Sequence, residues 1–115
     1  MRYPKFSGKP KRPRVYLRRI VGDSMLPTLR HGQLVLFATW LKPKAGDIVM
    51  VRHGGREKIK RIADMDDSSV YLLGDNPAAS TDSRQFGRLP LEQVVAKLLW
   101  PREYGSKPLP SYSVQ

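Results

Sequence analysis

Ile48-Val49-Met50-Val51-Arg52, then the pair Gly54-Gly55, then Lys58-Ile59-Lys60-Arg61-Ile62 decide the fold of this chain. Two runs rich in β-branched residues, joined across paired glycines, predict a β-hairpin. Glycine takes the positive φ that a tight hairpin turn demands. Gly46-Asp47 supplies the turn in front. Working outward, residues 15–21, 32–37, 69–73 and 94–100 read as further strands, and residues 64–69 as a polar turn. A short helical turn fits around Leu91. Residues 74–88 form a long polar loop, and a loop of that length inside a compact domain usually carries function. No long helical period and no internal repeat interrupts the pattern. The expected fold is mostly β: a small domain, barrel-like or built from a coiled β-sheet.

The rest of the composition fits one domain. The chain has 115 residues, no cysteine and two histidines, His31 and His53. That excludes disulfides, thiol nucleophiles, thiolate zinc sites and iron–sulfur clusters, and leaves no basis for a multi-histidine metal site. The net charge of +11 is unevenly spread. Eight bases and no acid lie in the first nineteen residues, so the remaining 13 bases and 10 acids leave only +3. Residues 1–14 are therefore expected to be a flexible basic arm broken by Pro4, Pro10 and Pro13, residues 15–103 the domain, and residues 104–115 a tail. Such an arm would suit an anionic membrane surface or nucleic acid, but a solvated tail is the plainer reading and the one expected here. The longest uninterrupted apolar run is Leu34 to Ala38, far short of the ~20 residues of a spanning helix. The basic start has no apolar stretch behind it, as a secretory signal would. A cytoplasmic, soluble protein is the expectation.

Three segments carry chemistry. In Gly22-Asp23-Ser24-Met25-Leu26-Pro27-Thr28-Leu29 a serine sits in a Pro-punctuated turn. Free backbone N–H groups beside it could stabilise an oxyanion, or the serine could simply cap a short helical turn. In Lys58-Ile59-Lys60-Arg61-Ile62 the period of two puts Lys58, Lys60 and Ile62 on one face. An ordinary lysine is neutral in about 1 molecule in 2,500 at pH 7, but burial lowers its pKa towards the range a general base needs. The plain alternative is a solvated strand edge. In residues 74–87, Asp82 and Arg84 are placed to form a charge-assisted pair, and Ser80 to bond a neighbouring group. An Asx-rich structural turn is the plain alternative here.

Other constellations are weak. His31 and His53 both stand beside glycines at turns, a poor setting for a Ser-His-Asp triad. Asp64, Asp66 and Asp67 lack the central glycine and closing glutamate of a calcium loop. There is no phosphate loop or dinucleotide fingerprint.

Taken together and in order, the three segments resemble the type I signal peptidase family of serine–lysine endopeptidases. Residues 22–29 match its serine box, Gly-Asp-Ser-Met-x-Pro-Thr-Leu. Lys60-Arg61 matches its lysine box. Residues 74–87 match its third box, Gly-Asp-Asn followed by Ser-x-Asp-Ser-Arg-x-aromatic-Gly. The resemblance spans about residues 15–102 and implies the family's catalytic-core fold. It implies Ser24 as nucleophile, with its backbone N–H in the oxyanion hole, and Lys60 as general base. Ser80 is then the residue that orients the lysine, and Asp82 and Arg84 fix the loop; Lys58 is a bystander. Gly22 stands where some members have a serine hydroxyl as second oxyanion donor. No metal or organic cofactor is implied.

The departures refine the expectation. Family members often carry an extra β domain between the lysine box and the third box; here only residues 62–73 intervene. Small members of this kind are similar to the nickel-type superoxide dismutase maturation proteases, which remove a short N-terminal extension. The expected partner is therefore a protein precursor bearing an N-terminal leader. One alternative is a signal-peptidase-like enzyme docked peripherally on membrane through the basic arm, Trp40-Leu41, Lys42 and Lys44. Another is a non-catalytic module gripping nucleic acid, which would leave the third box unexplained.

Overall fold

A computed structural model describes residues 11–102. Most of the expected arm and the whole expected tail, residues 104–115, lie outside the described residues. Seven strands form one antiparallel sheet: β1 (Val15–Arg19), β2 (Leu34–Ala38), β3 (Ile48–His53), β4 (Arg56–Met65), β5 (Ser69–Leu73), β6 (Leu89–Pro90) and β7 (Val94–Trp100). Their spatial order is β1-β2-β7-β3-β4-β5-β6. Of the two expected forms the coiled sheet is the one present; β1 and β6 remain edges and no barrel closes.

The β3–β4 hairpin is the spine. Gly54 and Gly55 take φ of 60° and 76°, so both central turn positions are left-handed, as the twist of a two-residue hairpin requires. Val51 pairs with Lys58 and Val49 with Lys60. β3 is buried on both faces. Ile48 and Met50 join Ile20, Met25, Leu29, Val35 and Phe37 in one apolar cluster. Val49 and Val51 join Ile62, Val70, Leu72, Leu89 and Val94 in a second. Alternate strand residues face opposite ways, so one strand serves both clusters.

Two boundaries depart from expectation. β1 stops at Arg19, and Val21 is exposed where the chain turns away. β2 starts at Leu34, after Gly32 donates its N–H to the Ile20 carbonyl. The long loop is more ordered than its polarity suggests. It contains a 3-10 turn (Pro77–Ala79) and the short helix α1 (Ser83–Phe86), and it leads straight into the two-residue β6. A second 3-10 turn (Leu91–Gln93) occupies the place expected for a helical turn.

Candidate functional site

Burial of charge marks the site. The buried charged side chains among the described residues are Lys60, Arg61 and Asp82, at 5%, 2% and 0% exposure. A buried charge is costly unless it is paired and hydrogen-bonded, so each of the three is held by its partners: Lys60 and Asp82 through Ser80, and Arg61 by Asp75.

The serine segment is pinned from below and from the side. Met25 and Leu29 sink into the first apolar cluster, and the Leu29 N–H donates to the Met25 carbonyl. Gly22, at φ 84°, donates its N–H to Nδ1 of His31 at 2.9 Å. The third segment holds the turn's other side. The Asn76 N–H donates to the Ser24 carbonyl at 2.9 Å, and Asn76 Nδ2 donates to the Asp23 carbonyl at 3.1 Å. Ser24 is left half-buried, and its N–H has no acceptor among the described residues.

Lys60 projects from β4 towards the third segment. Its Nζ donates to Ser80 Oγ at 3.0 Å, and that hydroxyl donates onward to Asp82 Oδ2 at 2.7 Å. Asp82 also accepts from the Gly74 N–H at 2.9 Å and from Arg84 Nε at 2.9 Å. The same carboxylate caps α1 in a capping box: Arg84 N–H donates to Asp82, and Asp82 N–H donates to the Gln85 side chain. Each Asp82 oxygen is thus satisfied, which permits its full burial.

The electrostatics follow from these contacts. Burial pushes the Lys60 amine down; Asp82 pulls it up, and the charges of Lys58 and Arg84 push it further down, so the balance is a lowered pKa. For Asp82, burial works upward, but hydrogen bonds from Arg84, Gly74 and Ser80 win and hold it below the ordinary carboxylate value. Asp82 is therefore a fixed anion. It keeps the Ser80 proton pointed at itself, so Ser80 offers Lys60 only lone pairs.

Ser24 and Lys60 line one cleft of about 370 Å³, together with Thr81, Ile20, Val21 and Ile59. Ser80, Asp82 and Arg84 stand behind Lys60. Lys58 is not inert: its charge bears on Lys60, and its Nζ lies 5.8 Å from the centre of the Phe86 ring. His31 and His53 do not line the cleft; His53 packs against Phe86, with ring centres 4.5 Å apart. Among the described residues no group of three His, Asp or Glu side chains could hold a metal ion.

Sequence reading missed the joints between segments. Arg61 Nε and Nη2 donate to the two Asp75 oxygens at 2.8 and 2.7 Å, Arg61 Nη1 donates to the Gly46 carbonyl, and the Thr28 hydroxyl donates to Asp75 Oδ2. One buried pair thereby ties β4, the third segment and the end of the serine segment. Gly74 is the other omission. A Cβ there would lie 2.2 Å from Ser80 Oγ and 2.7 Å from the Ser24 carbonyl oxygen, so glycine is needed for close approach.

Comparison with known proteins places the chain in a peptidase family. The sequence profile of the Peptidase S24-like family matches residues 3–90. The chain is 35% identical to the mitochondrial ATP-independent inner membrane protease subunit 1a of Arabidopsis thaliana, an alignment covering 72% of this chain and 69% of the relative. It is 29% identical to subunit 1b of the same organism, covering 69% of this chain and 64% of the relative. The chain thus spans about two thirds of the length of each. Among the described residues no helix is long and apolar enough to cross a membrane.

Proposed function

The chain belongs to the Peptidase S24-like family, and from that premise we propose a serine–lysine endopeptidase in which Ser24 is the nucleophile and Lys60 the general base. A signal-peptidase-like serine peptidase acts on protein, so the substrate class is a polypeptide. The observation that carries the proposed roles is the hydrogen-bonded line Lys60–Ser80–Asp82, which buries a lysine of lowered pKa on the wall of the cleft that Ser24 also lines.

The chemistry is the lysine variant of triad logic. Neutral Lys60 takes the Ser24 proton as Oγ attacks the scissile carbonyl carbon. The oxyanion forms beside the Ser24 N–H, which is free to donate. Gly22 offers no hydroxyl as a second donor. Collapse breaks the C–N bond, and the Lys60 ammonium gives its proton to the leaving amine. Neutral again, Lys60 deprotonates a water that attacks the acyl ester. Ser24 leaves with the proton. Ser80, oriented by the fixed anion Asp82, keeps the Lys60 lone pair from turning away; Asp82 and Arg84 fix the loop.

The finer assignment is removal of an N-terminal leader or propeptide from a precursor, in particular that of a nickel-type superoxide dismutase. It is supported by the minimal core: between Lys60 and Gly74 the chain runs only through the rest of β4, a turn and β5. A second reading, peripheral docking on membrane, is favoured by a different observation. Leu17 pairs with Leu36 and Leu36 with Trp100, an apolar row across β1, β2 and β7 whose ends are exposed, with Trp100 at 54%; Trp40, just past β2, is 53% exposed.

The test is cleavage of a nickel superoxide dismutase precursor by the purified chain, read by intact mass beside Ser24→Ala and Lys60→Ala. One cut at the start of the mature domain, absent with both variants, is the expected result. Cutting of a signal-peptide substrate only when anionic vesicles are present would move the assignment to the membrane-docked reading. Cleavage that survives Ser24→Ala would sink the mechanism.

A further inference from the structure

The cleft has a second feature that catalysis does not use. β1 and β4 are not neighbours in the sheet; β2, β7 and β3 lie between them. The coiling nevertheless brings the free edge strand opposite β4, and one ion pair spans the gap. Arg18 Nε donates to Glu57 Oε1 at 2.8 Å and Nη2 to Oε2 at 2.9 Å, a bidentate fork. Both residues line the cleft that holds Ser24 and Lys60. About a third of each side chain is exposed, so the pair is open to exchange rather than locked in the interior.

The pair is built asymmetrically. Glu57 has a second cation in reserve, with Arg52 Nη2 3.7 Å from Oε2. The Arg18 guanidinium is held in place without Glu57: it lies 5.0 Å from the centre of the Tyr16 ring and donates to the Leu17 carbonyl at 3.0 Å. Arg18 can therefore change carboxylate while both it and Glu57 keep favourable contacts. The other charges along the cleft are Arg19, Lys58 and Lys60, so Glu57 is its only acid among the described residues. A substrate carboxylate entering here meets a surplus of positive charge. The register sets where. Glu57 precedes Lys60 by three residues on β4, about 10 Å at ~3.3 Å per residue. An extended peptide lying along β4 has the side chain opposite this pair about three residues from the bond at Ser24.

The geometry points to Arg18 as a specificity-determining residue, which pairs with an acidic substrate side chain about three residues from the scissile bond while Glu57 turns to Arg52. This rests on the peptidase reading above.

The experiment digests a mixed synthetic peptide library with the purified chain and reads cut sites by mass spectrometry. A matched pair of peptides, Asp or Asn at the favoured position, is then compared for cleavage and for binding to Ser24→Ala. The expected result is enrichment of Asp and Glu at one position about three residues from the cut. The Asp peptide is favoured about five- to tenfold, as befits a charge pair about one-third exposed. Arg18→Gln abolishes the ratio, Arg18→Lys keeps part of it, and Arg18→Glu turns it towards a Lys peptide. A merely structural Arg18 would change all peptides alike. Ser24-dependent cleavage with no acidic enrichment, or with a ratio unchanged in Arg18→Gln, overturns the proposal and leaves the peptidase reading intact. If no cleavage depends on Ser24, the peptidase reading falls. The binding ratio on Ser24→Ala with and without Arg18→Gln then still decides whether Arg18 selects acidic peptides.

Discussion

Lys60 Nζ donates to Ser80 Oγ at 3.0 Å, and that hydroxyl cannot donate back, because its own proton is given to Asp82 at 2.7 Å. The direction of this line matters more than its length. A hydroxyl that only accepts leaves the amine free to aim its lone pair into the cleft. Ser80→Ala removes the guide and leaves Lys60 and Asp82 in place. Its expected effect is a fall in kcat of about ten- to a hundredfold with KM little changed. Steady-state kinetics on a cleavable peptide check this; an unchanged kcat would remove Ser80 from the positioning role.

The pH dependence has a definite sign. Catalysis needs neutral Lys60, so activity falls as pH falls through its lowered pKa. Lys58 contributes to that lowering as a like charge. Lys58→Met therefore moves the acidic limb of the kcat/KM profile to higher pH. Stability carries the same shift in another form. The unfolded chain holds the Lys60 proton at pH values where the fold has released it, so stability rises with pH from the lowered value towards the ordinary lysine value. Below the lowered value the fold bears the full cost of the buried cation. Lys60→Met is expected to melt no lower than the wild type near neutral pH while losing activity. A melt well below wild type would mean that the ammonium's bond to Ser80 outweighs its burial.

Gly74→Ala is expected to inactivate without unfolding. The added methyl meets Ser80 at one end and the Ser24 carbonyl at the other, and either shift misaligns the proposed base or nucleophile. Overpacking of this kind costs about 1–3 kcal/mol of stability. Misplacement by about 1 Å costs on the order of a hundredfold in rate. A thermal melt beside a rate measurement separates the two effects; a variant that keeps full activity would show that the segments yield more than their contacts imply.

What was legible in the sequence divides along a physical line. The β3–β4 hairpin, β5 and β7 could be read because paired glycines and period-two alternation are local signals. That β7 inserts between β2 and β3 could not, since alternation says which side chains face inward and not which strand lies alongside. The three segments were visible as motifs, but the bonds between them join residues far apart in the chain. Asn76 to Ser24 and Arg61 to Asp75 are examples. One local signal was available and unread: the Asp82 to Gln85 spacing is that of a capping box, which predicts α1 within the polar loop.

The Arg61–Asp75 pair gives the last prediction. Both side chains are nearly sealed from solvent, at 2% and 9% exposure, and the fork is bidentate. A buried pair of this kind adds little over an apolar replacement, yet removal of one partner strands the other charge. Arg61→Met alone leaves Asp75 with the Thr28 hydroxyl and no cation in the fork, and is expected to cost about 3–5 kcal/mol. Asp75→Leu alone takes the bidentate carboxylate from Arg61 and leaves its bond to the Gly46 carbonyl, with a similar expected cost. The double substitution is expected to cost less than either single one, and denaturant unfolding of all three variants measures the coupling. Because Asp75 also anchors Thr28 near the end of the serine segment, the double variant should recover stability without recovering activity. If it regains both, the pair serves only the fold; if its loss equals the sum of the singles, the two side chains do not act as a unit.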